Sequence, residues 1–266
     1  GDHADAAQDY AQHIPVRVIA HMLGVPAADE EMFTNWAVRI LQEGFNDLQK
    51  SLDAIIETLE YFGARVDERA ALPVDQRPDD LITLLVETEI DGEPLDRRHL
   101  LGTCFLLLLA GIDTTWSAIG SSLWHLATHP EDQARLRAEP DLIDSAVEEL
   151  LRVYSPVTMA REVIADVEVA GCPMKPGDKV LMSFPAANRD PAHFEKPDEF
   201  IIDRERNRHV AFGSGIHRCL GSNLARMELR VAIEEWLTRI PTFELADPAA
   251  VTWTGGQVRG PRTIPV

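Results

Sequence analysis

The chain has 266 residues, of which 45% are hydrophobic and 26% charged, so it can bury a sizeable core and is not expected to be disordered. Its formal net charge of −19 argues against nucleic acid as a partner, because phosphate backbones attract basic surfaces. The chain has three cysteines, a small and odd number that does not indicate a disulfide framework. Such a number suits a reducing cytoplasm.

The N-terminal residues hold no apolar stretch with a cleavage site, so we expect no signal peptide. The longest apolar run covers residues 104–112, which is about half of what a membrane helix needs. We therefore expect a protein without a membrane span.

Hydrophobic periodicity predicts helices in the first part of the chain and a mixed region later. The predicted helices cover residues 10–23, 31–41, 48–71, 80–87, 95–127, 130–138, 141–154 and 220–240, and the predicted strands 167–169, 179–182 and parts of the tail after 243. Gly24 is expected to end the first helix, and turns are expected at Asp91-Gly92, Gly171 and Gly177. The helix at 95–127 is apolar nearly all round in its first half, which indicates a central, buried helix. The fold class is therefore mainly α with minor β.

The most informative segment is residues 212–221, in which one cysteine lies in a glycine-rich loop directly before a helical pattern. His217, Arg218 and the start of that helix all favour a thiolate, so we expect the thiol of Cys219 to ionise easily. Glycines let the backbone lie close to a flat ligand, and a thiolate beneath a flat macrocycle is one way for haem iron to gain an axial ligand. A glycine-rich loop around a buried cysteine and a phosphate-binding loop are the alternatives.

This segment closely resembles the haem-binding signature of the cytochromes P450, FxxGxxxCxG, in its bacterial form FGxGxHxCLG. The resemblance implies that Cys219 is the proximal iron ligand and that His217 meets a haem propionate. The other cofactor-binding positions that it implies in this loop are Phe212, Gly213, Gly215 and Gly221.

A second pattern, Ala110-Gly111-Ile112-Asp113-Thr114-Thr115, places an acid and hydroxyls inside the buried helix. Such groups are costly there without partners or a function. A threonine can bond back to the carbonyl four residues earlier and bend the helix, and Gly111 leaves space, so we expect a notch beside the acid and the alcohol. A helix kink with a satisfied Asp113 is the alternative.

The pattern resembles the P450 oxygen-activation motif A/G-G-x-D/E-T-T. The resemblance implies that the Thr114 hydroxyl assists oxygen activation and that Asp113 feeds a proton relay. It also implies that Ala110 and Gly111 lie against the cofactor.

A third site is the run Glu148-Glu149-Leu150-Leu151-Arg152. On a helix either acid can pair with Arg152, and an ordinary surface ion pair is the plain interpretation. The resemblance selects Glu149 and Arg152 as the ExxR pair of the P450s, with Arg204 as a third partner that braces the loop leading to the cysteine. Glu148 is then expected to be dispensable.

Further roles follow from the same resemblance. Arg161 is expected to bind a propionate, and Asn188-Arg189-Asp190 to be structural. The residues expected to face a small apolar substrate are Leu106, Leu109, Val157, Thr158 and Met159.

Charge is distributed unevenly along the chain. Residues 1–100 carry 8 basic and 21 acidic residues, whereas residues 204–230 carry six arginines against two glutamates. A docking face for an acidic partner has this character, but so does a segment that pairs with propionates and has solvated helix charges. Both interpretations stay open.

The resemblance implies an N-terminally truncated cytochrome P450 fold, with residues 1–266 as the haem-domain core from about the fifth helix to near the C-terminal end. It further implies haem b, O2 as co-substrate, and electrons from NAD(P)H through a ferredoxin or flavoprotein, separate or fused. The expected protein is a cytoplasmic monooxygenase.

Two alternatives to this function remain. One is a peroxide-driven haem enzyme of the same fold, against which the intact Asp113-Thr114 pair argues, because peroxide use needs no oxygen proton relay. The other is a catalytically inactive, truncated haem-binding fragment.

Overall fold

A computed structural model describes residues 3–266, apart from the side chain of Phe45. Within them the helices are α1 (His13–Leu23), α2 (Glu30–Leu41), α3 (Leu48–Ala71), α4 (Leu81–Glu87), α5 (Arg97–Thr128), α6 (Pro130–Ala138), α7 (Ile143–Val153), α8 (Phe184–Ala187) and α9 (Ser222–Arg239). The strands are β1 (Glu89–Ile90), β2 (Glu93–Pro94), β3 (Thr158–Glu162), β4 (Val167–Val169), β5 (Cys172–Met174), β6 (Lys179–Ser183), β7 (Thr252–Thr254) and β8 (Gly260–Thr263). The prediction of a mainly α protein with minor β is confirmed.

Aspartate side chains explain where several of the helices begin. Asp47 accepts a hydrogen bond from the backbone N–H of Lys50 at 3.2 Å, Asp80 from Thr83 at 2.7 Å, and Asp96 from His99 at 2.8 Å. Each carboxylate satisfies an N–H group that has no partner within its own helix. Consequently α3, α4 and α5 begin within two residues of the predicted starts.

The central helix α5 belongs to two hydrophobic cores. Its first half contributes Cys104, Leu108 and Ile112 to a core shared with α1–α4, and its second half contributes Ile119 and Leu123 to a core shared with α7 and α9. The prediction that this helix is central is confirmed, and it is buried at residues 115–123, whereas residues 97–103 are exposed or half-buried. By length and composition α5 is the one helix of residues 3–266 that meets the criteria for a membrane span, and that composition follows from its place at the centre of both cores.

The strands form four antiparallel pairs among the described residues: β1 with β2, β3 with β6, β4 with β5, and β7 with β8. The predicted turns are confirmed, with positive φ values of 80° at Gly171 and 93° at Gly177. The prediction missed β3, because its sequence, Thr-Met-Ala-Arg-Glu, shows no alternation of apolar and polar residues. It becomes a strand by pairing with β6, Thr158 opposite Ser183 and Glu162 opposite Lys179.

Strand β8 lies directly against α5. A Cβ atom on Gly260 would come within 2.7 Å of the backbone Cα of Ser117, and one on Gly120 would meet the Pro261 ring at 3.1 Å. The two elements therefore approach so closely that only glycine fits at Gly260. This contact brings the last strand of the chain beside the middle of the central helix.

We expect Gly260→Ala to lower the free energy of unfolding by roughly 1–3 kcal/mol, because the added methyl group overpacks a contact in which the α5 backbone cannot move aside. The matched control is Gly255→Ala, since a Cβ at Gly255 meets nothing within 4 Å. Urea unfolding curves of both variants measure the effect. A midpoint for Gly260→Ala equal to that of the control would contradict the close approach of β8.

Candidate functional site

The loop that carries Cys219 is closed on itself by a backbone hydrogen bond. The N–H of Cys219 donates to the carbonyl oxygen of Phe212 at 2.8 Å. Gly213 and Gly215 adopt positive φ values of 69° and 72°, which a residue with a side chain rarely takes. The glycines of the motif therefore allow a tight turn, and that turn leaves the Cys219 thiol exposed.

The segment leading to this loop is held by the carboxylate of Glu149 on α7. Arg152 donates to its two oxygens at 2.8 Å each, and Arg204 does so at 3.0 and 3.1 Å. The backbone N–H of Ile201 and the side chain of Asn207 add bonds at 2.9 and 3.0 Å. The predicted partners Glu149, Arg152 and Arg204 are thus in contact, and Asn207 is a further member that the sequence prediction missed.

Arg152 extends this network to three backbone carbonyls. Its guanidinium donates to the carbonyl oxygens of Asn188, Pro197 and Glu199 at 2.9, 2.6 and 2.8 Å, and the side chains of both Arg152 and Glu149 are fully buried. Burial raises the pKa of Glu149, but the hydrogen bonds from Arg152 and the other donors outweigh it and hold the pKa below its ordinary value. Glu149 therefore stays charged in the protein interior.

Glu148 was expected to be dispensable, but it makes contacts that this expectation did not foresee. Its carboxylate accepts a two-pronged pair of bonds from Arg226 on α9 and a third bond from His209 at 3.0 Å. Burial raises the pKa of Glu148, but the opposite effect of His209 and Arg226 is larger, so the pKa falls to about 2. A single sequence does not show that Arg226 on α9 lies beside Glu148 on α7. For that reason the sequence prediction assigned Glu148 no partner.

The two neighbouring acids hold the cysteine loop at both ends. Glu149 binds the segment before it through Arg204, and Glu148 binds the helix after it through Arg226. Between them, the Asn188 side chain accepts a bond from the N–H of Val210 at 2.7 Å. Asn188 is fully buried, and its position agrees with the expected structural role.

A stripe of side chains on α5 faces away from both cores. Gly102, Leu106 and Ala110 are exposed at intervals of four residues, and the partly exposed Thr114 continues the stripe. Leu106 is 63% exposed, although Leu108 and Leu109 beside it on the same helix are buried. Leu109 is buried in the α1–α4 core instead. The stripe is an apolar surface that ends at a hydroxyl group.

The expected open notch at Gly111 is not present. A Cβ atom there would come within 2.6 Å of the side chain of Ile19, so α1 fills the space. Gly111 serves the packing of α1 on α5. The Thr114 hydroxyl donates to the carbonyl oxygen of Ala110 at 2.7 Å, which is the expected bond to the preceding turn.

Asp113 is fully buried and has partners that the sequence prediction missed. Its Oδ1 accepts hydrogen bonds from Arg262 on β8 at 2.7 Å and from Gln42 at the end of α2 at 3.2 Å. Burial raises the pKa of Asp113, while Arg262 and Gln42 lower it without cancelling that rise. A buried acid requires such a partner, but its location 149 residues away is visible only in the folded chain.

The three residues expected near substrate at the start of β3 pair with the tail. Val157 forms a bridge with Val258, and the N–H of Thr158 donates to the Gln257 carbonyl at 3.0 Å. The Gln257 side chain reaches the sulfur of Met159 at 3.6 Å. The segment before β8 therefore lies beside the predicted substrate-facing residues.

The residues around Cys219 fit the haem that the motif implies. Ile216 and Leu220 on either side of the thiol are 97% and 93% exposed, which is unusual for large apolar side chains and is what a flat apolar ligand would cover. His217 and Arg161 are also exposed, and they offer the donors that propionates need. Cys104 does not fit, because burial raises the pKa of its thiol to about 11.

We expect Glu149→Gln to lower the free energy of unfolding by roughly 3–5 kcal/mol, since it leaves two buried arginines without their charge partner. Glu148→Gln should cost roughly 1.5–3 kcal/mol at pH 7, because it removes the charged acceptor of the hydrogen bonds from His209 and Arg226. Both variants should also retain haem less well in gel filtration.

The matched control is Glu168→Gln, an exposed acid of β4, which should change stability by less than about 0.5 kcal/mol. Because the pKa of Glu148 is lowered, its contribution is present above the ordinary value of 4.5 and is lost as pH falls toward 2. Urea unfolding at several pH values should show the deficit of Glu148→Gln shrinking across that range. A deficit independent of pH would contradict the role of its charge.

Comparison with known proteins identifies the family. The model of the Cytochrome P450 family matches residues 16–248. The chain is 38% identical to the mycinamicin IV hydroxylase/epoxidase of Micromonospora griseorubida, covering all of this chain and 67% of that protein. It is 36% identical to the polyketide biosynthesis cytochrome P450 PksS of Bacillus subtilis strain 168, covering 99% and 65%. The chain thus spans about two thirds of the length of the curated relatives that it matches.

Solved structures agree with this assignment. The Bacillus subtilis PksS structure superimposes with a TM-score of 0.92 at 35% identity, over all of this chain and 68% of that one. The LnmA cytochrome P450 hydroxylase of Streptomyces atroolivaceus gives a TM-score of 0.89 at 39% identity, over 100% and 69%. Since the family model covers most of the residues and these relatives match along the whole sequence, the chain belongs to the cytochrome P450 family.

Proposed function

We propose that this chain is the haem-binding core, residues 1–266, of a monooxygenase that inserts one oxygen atom of O2 into a small apolar substrate. The observation that carries the proposal is the Cys219 loop, in which an exposed thiol lies between exposed apolar side chains and is held at both ends by buried or half-buried ion pairs. Burying charged side chains costs free energy. We infer that the ion pairs at the two ends of the loop hold the thiol in a constant position.

Cys219 would bind the haem iron as a thiolate, and His217 and Arg161 would bind its propionates. Haem, when bound, supplies the oxygen-activating chemistry. Arg161 suits its role because its guanidinium is exposed and, among residues 3–266, donates only to the neighbouring Ala160 carbonyl, at 2.9 Å. Because Gly213 and Gly215 have no side chains, the backbone of the loop could lie close to a flat ligand.

Thr114 and Asp113 would handle protons on the distal face. Thr114 is partly exposed on the α5 stripe, and its hydroxyl can accept a hydrogen bond while it donates to the Ala110 carbonyl. Asp113 lies one residue away on the buried side of the same helix. The hydroxyl would thus meet the reacting oxygen, and the acid would resupply its proton.

Electrons would come from NAD(P)H through an acidic ferredoxin or flavoprotein domain. Of the six arginines in residues 204–230, Arg204 and Arg226 are used internally by Glu149 and Glu148, and Arg230 pairs with Glu234. Arg206, Arg208 and Arg218 are exposed, and none of these three makes an ion pair within residues 3–266. A cluster of free arginines beside the thiolate loop supports docking of an acidic partner.

The substrate would lie over the α5 stripe, with Leu106 and Ala110 on one side and Val157, Thr158 and Met159 on the other. An apolar substrate fits the 63% exposed Leu106. Relatives are named for mycinamicin IV and vitamin D3. The sparse, unpaired cysteines support a cytoplasmic location.

We expect Cys219→Ser to abolish the thiolate-type absorption spectrum of the reduced, CO-bound protein, because the serine hydroxyl stays protonated and cannot replace the thiolate. Cys104→Ser and Cys172→Ser are the matched controls and should keep that spectrum. A thiolate spectrum retained by Cys219→Ser would overturn the ligand assignment and with it the proposed function.

We expect Thr114→Ala to bind haem normally but to form less product per NAD(P)H consumed, with the missing electrons recovered as hydrogen peroxide. Asp113→Asn keeps the shape of the side chain but removes the acid, so turnover should slow by roughly 10²–10⁴-fold. Thr115→Ala is the control, since Thr115 points about 100° away on the helix. Full coupling in Thr114→Ala, with turnover supported by peroxide alone, would favour a peroxide-driven enzyme instead.

A further inference from the structure

Asp113 is an acid without solvent contact whose positive partner comes from the other end of the chain. Its side chain is 0% exposed, and Arg262 of β8 donates to its Oδ1 at 2.7 Å. Among residues 3–266, Arg262 is the charged group that acts on Asp113, and Gln42 from α2 is the neutral donor. The ionisation of this acid therefore depends on one residue of the last strand.

The position of Arg262 is itself constrained. Its second nitrogen donates to the hydroxyl of Ser117 at 3.1 Å, and its guanidinium lies 4.3 Å from the centre of the Trp116 ring. Its side chain is 13% exposed. Because β8 lies against α5 at Gly260, the guanidinium cannot leave Asp113 without breaking these contacts.

The physical consequence is an opposition of two effects on one carboxyl group. Removal from water favours the neutral acid, and an adjacent guanidinium favours the carboxylate. Burial raises the pKa of Asp113, and the Arg262 charge acts in the opposite direction. Without the arginine, a carboxylate at this depth would take up a proton rather than stay charged.

The two oxygens of Asp113 are also not equivalent. Oδ1 accepts the hydrogen bonds from Arg262 and Gln42, whereas no group of residues 3–266 donates to Oδ2. A proton on Oδ2 would therefore break neither of the two hydrogen bonds that Oδ1 accepts.

We propose that Arg262 is a positioning residue that keeps Asp113 ionised and oriented inside the helix packing. The consequence for catalysis rests on the proposed function, but the charge state of Asp113 does not. Arg262 acts through Asp113 and touches neither substrate nor cofactor in this assignment.

The test is a pH titration of Asp113 by infrared difference spectroscopy on the full chain, comparing each protein with its Asp113→Asn counterpart. Arg262→Met should raise the proton affinity of Asp113 about 10-fold or more, the smaller end of the effect of one adjacent opposite charge. Arg262→Lys keeps the positive charge and should restore most of the wild-type titration. An unchanged titration in Arg262→Met would overturn the proposal.

Arg259→Met is the matched control, because it removes the same charge three residues earlier from an exposed side chain and should leave the titration unchanged. A shift of equal size in Arg259→Met would overturn the proposal as a general charge effect. If Arg262→Met does not fold, Arg262→Gln removes the charge but keeps a donor, and the same rise in proton affinity is expected.

Stability offers a second measurement. Since the folded pKa of Asp113 is raised, its ionisation costs stability as pH rises, and removal of Arg262 extends that loss to higher pH. The deficit of Arg262→Met should therefore grow with pH and should lose its pH dependence in the Asp113→Asn background. A deficit that is constant with pH would contradict the proposal.

Neither measurement needs turnover, so the proposed function is tested separately. Product formed per NAD(P)H consumed should fall in Arg262→Met and recover in Arg262→Lys. If the reduced, CO-bound wild-type protein did not show the thiolate-type spectrum, the proposed function would be contradicted. The titration of Asp113 would still decide the role of Arg262.

Discussion

The carboxylate of Glu149 is the group on which the arrangement of the site depends. It is fully buried, and six hydrogen bonds from two arginines, one asparagine and one backbone N–H hold it there. A buried charge is tolerated only when its partners are complete. Each partner comes from the chain before Cys219, so satisfying one carboxylate also fixes the path of the loop. Glu148 does the same for α9, on the other side of the cysteine.

Helix α5 imposes a second constraint, because it is shared by both cores. Its second half is packed on nearly all sides, whereas its first half leaves a stripe exposed, and that stripe ends at Thr114. The acid next to Thr114 necessarily points into the packing, where it needs a positive partner. The partner, Arg262, is supplied by β8, which packs against the helix. Core packing, the Thr114 hydroxyl and the last strand are therefore parts of one arrangement.

The sequence predictions succeeded where the relevant interaction is local. Gly24 takes the left-handed conformation expected of a residue that ends a helix, and the aspartate caps lie within three residues of the N–H groups that they bind. The predicted open notch at Gly111 was wrong, because Ile19 fills that space from α1. Likewise, the partner of Glu148 was not foreseen, because Arg226 comes from a distant part of the chain. Strand β3 was missed for the same reason, since its partner β6 supplies the pattern that its own residues lack.

The sequence by itself determined the family, the mainly helical fold, the cysteine loop and the identity of the Glu149–Arg152–Arg204 brace. These depend on short motifs in which the reacting or bonding residues are neighbours or follow a known spacing. Only the tertiary structure decided which groups neutralise Asp113 and Glu148, what fills the space at Gly111, and which arginines of the cationic segment are free. Those outcomes depend on which surfaces of the folded chain are in contact. The sequence shows that a buried acid needs a positive partner, but it does not show where in the chain that partner lies.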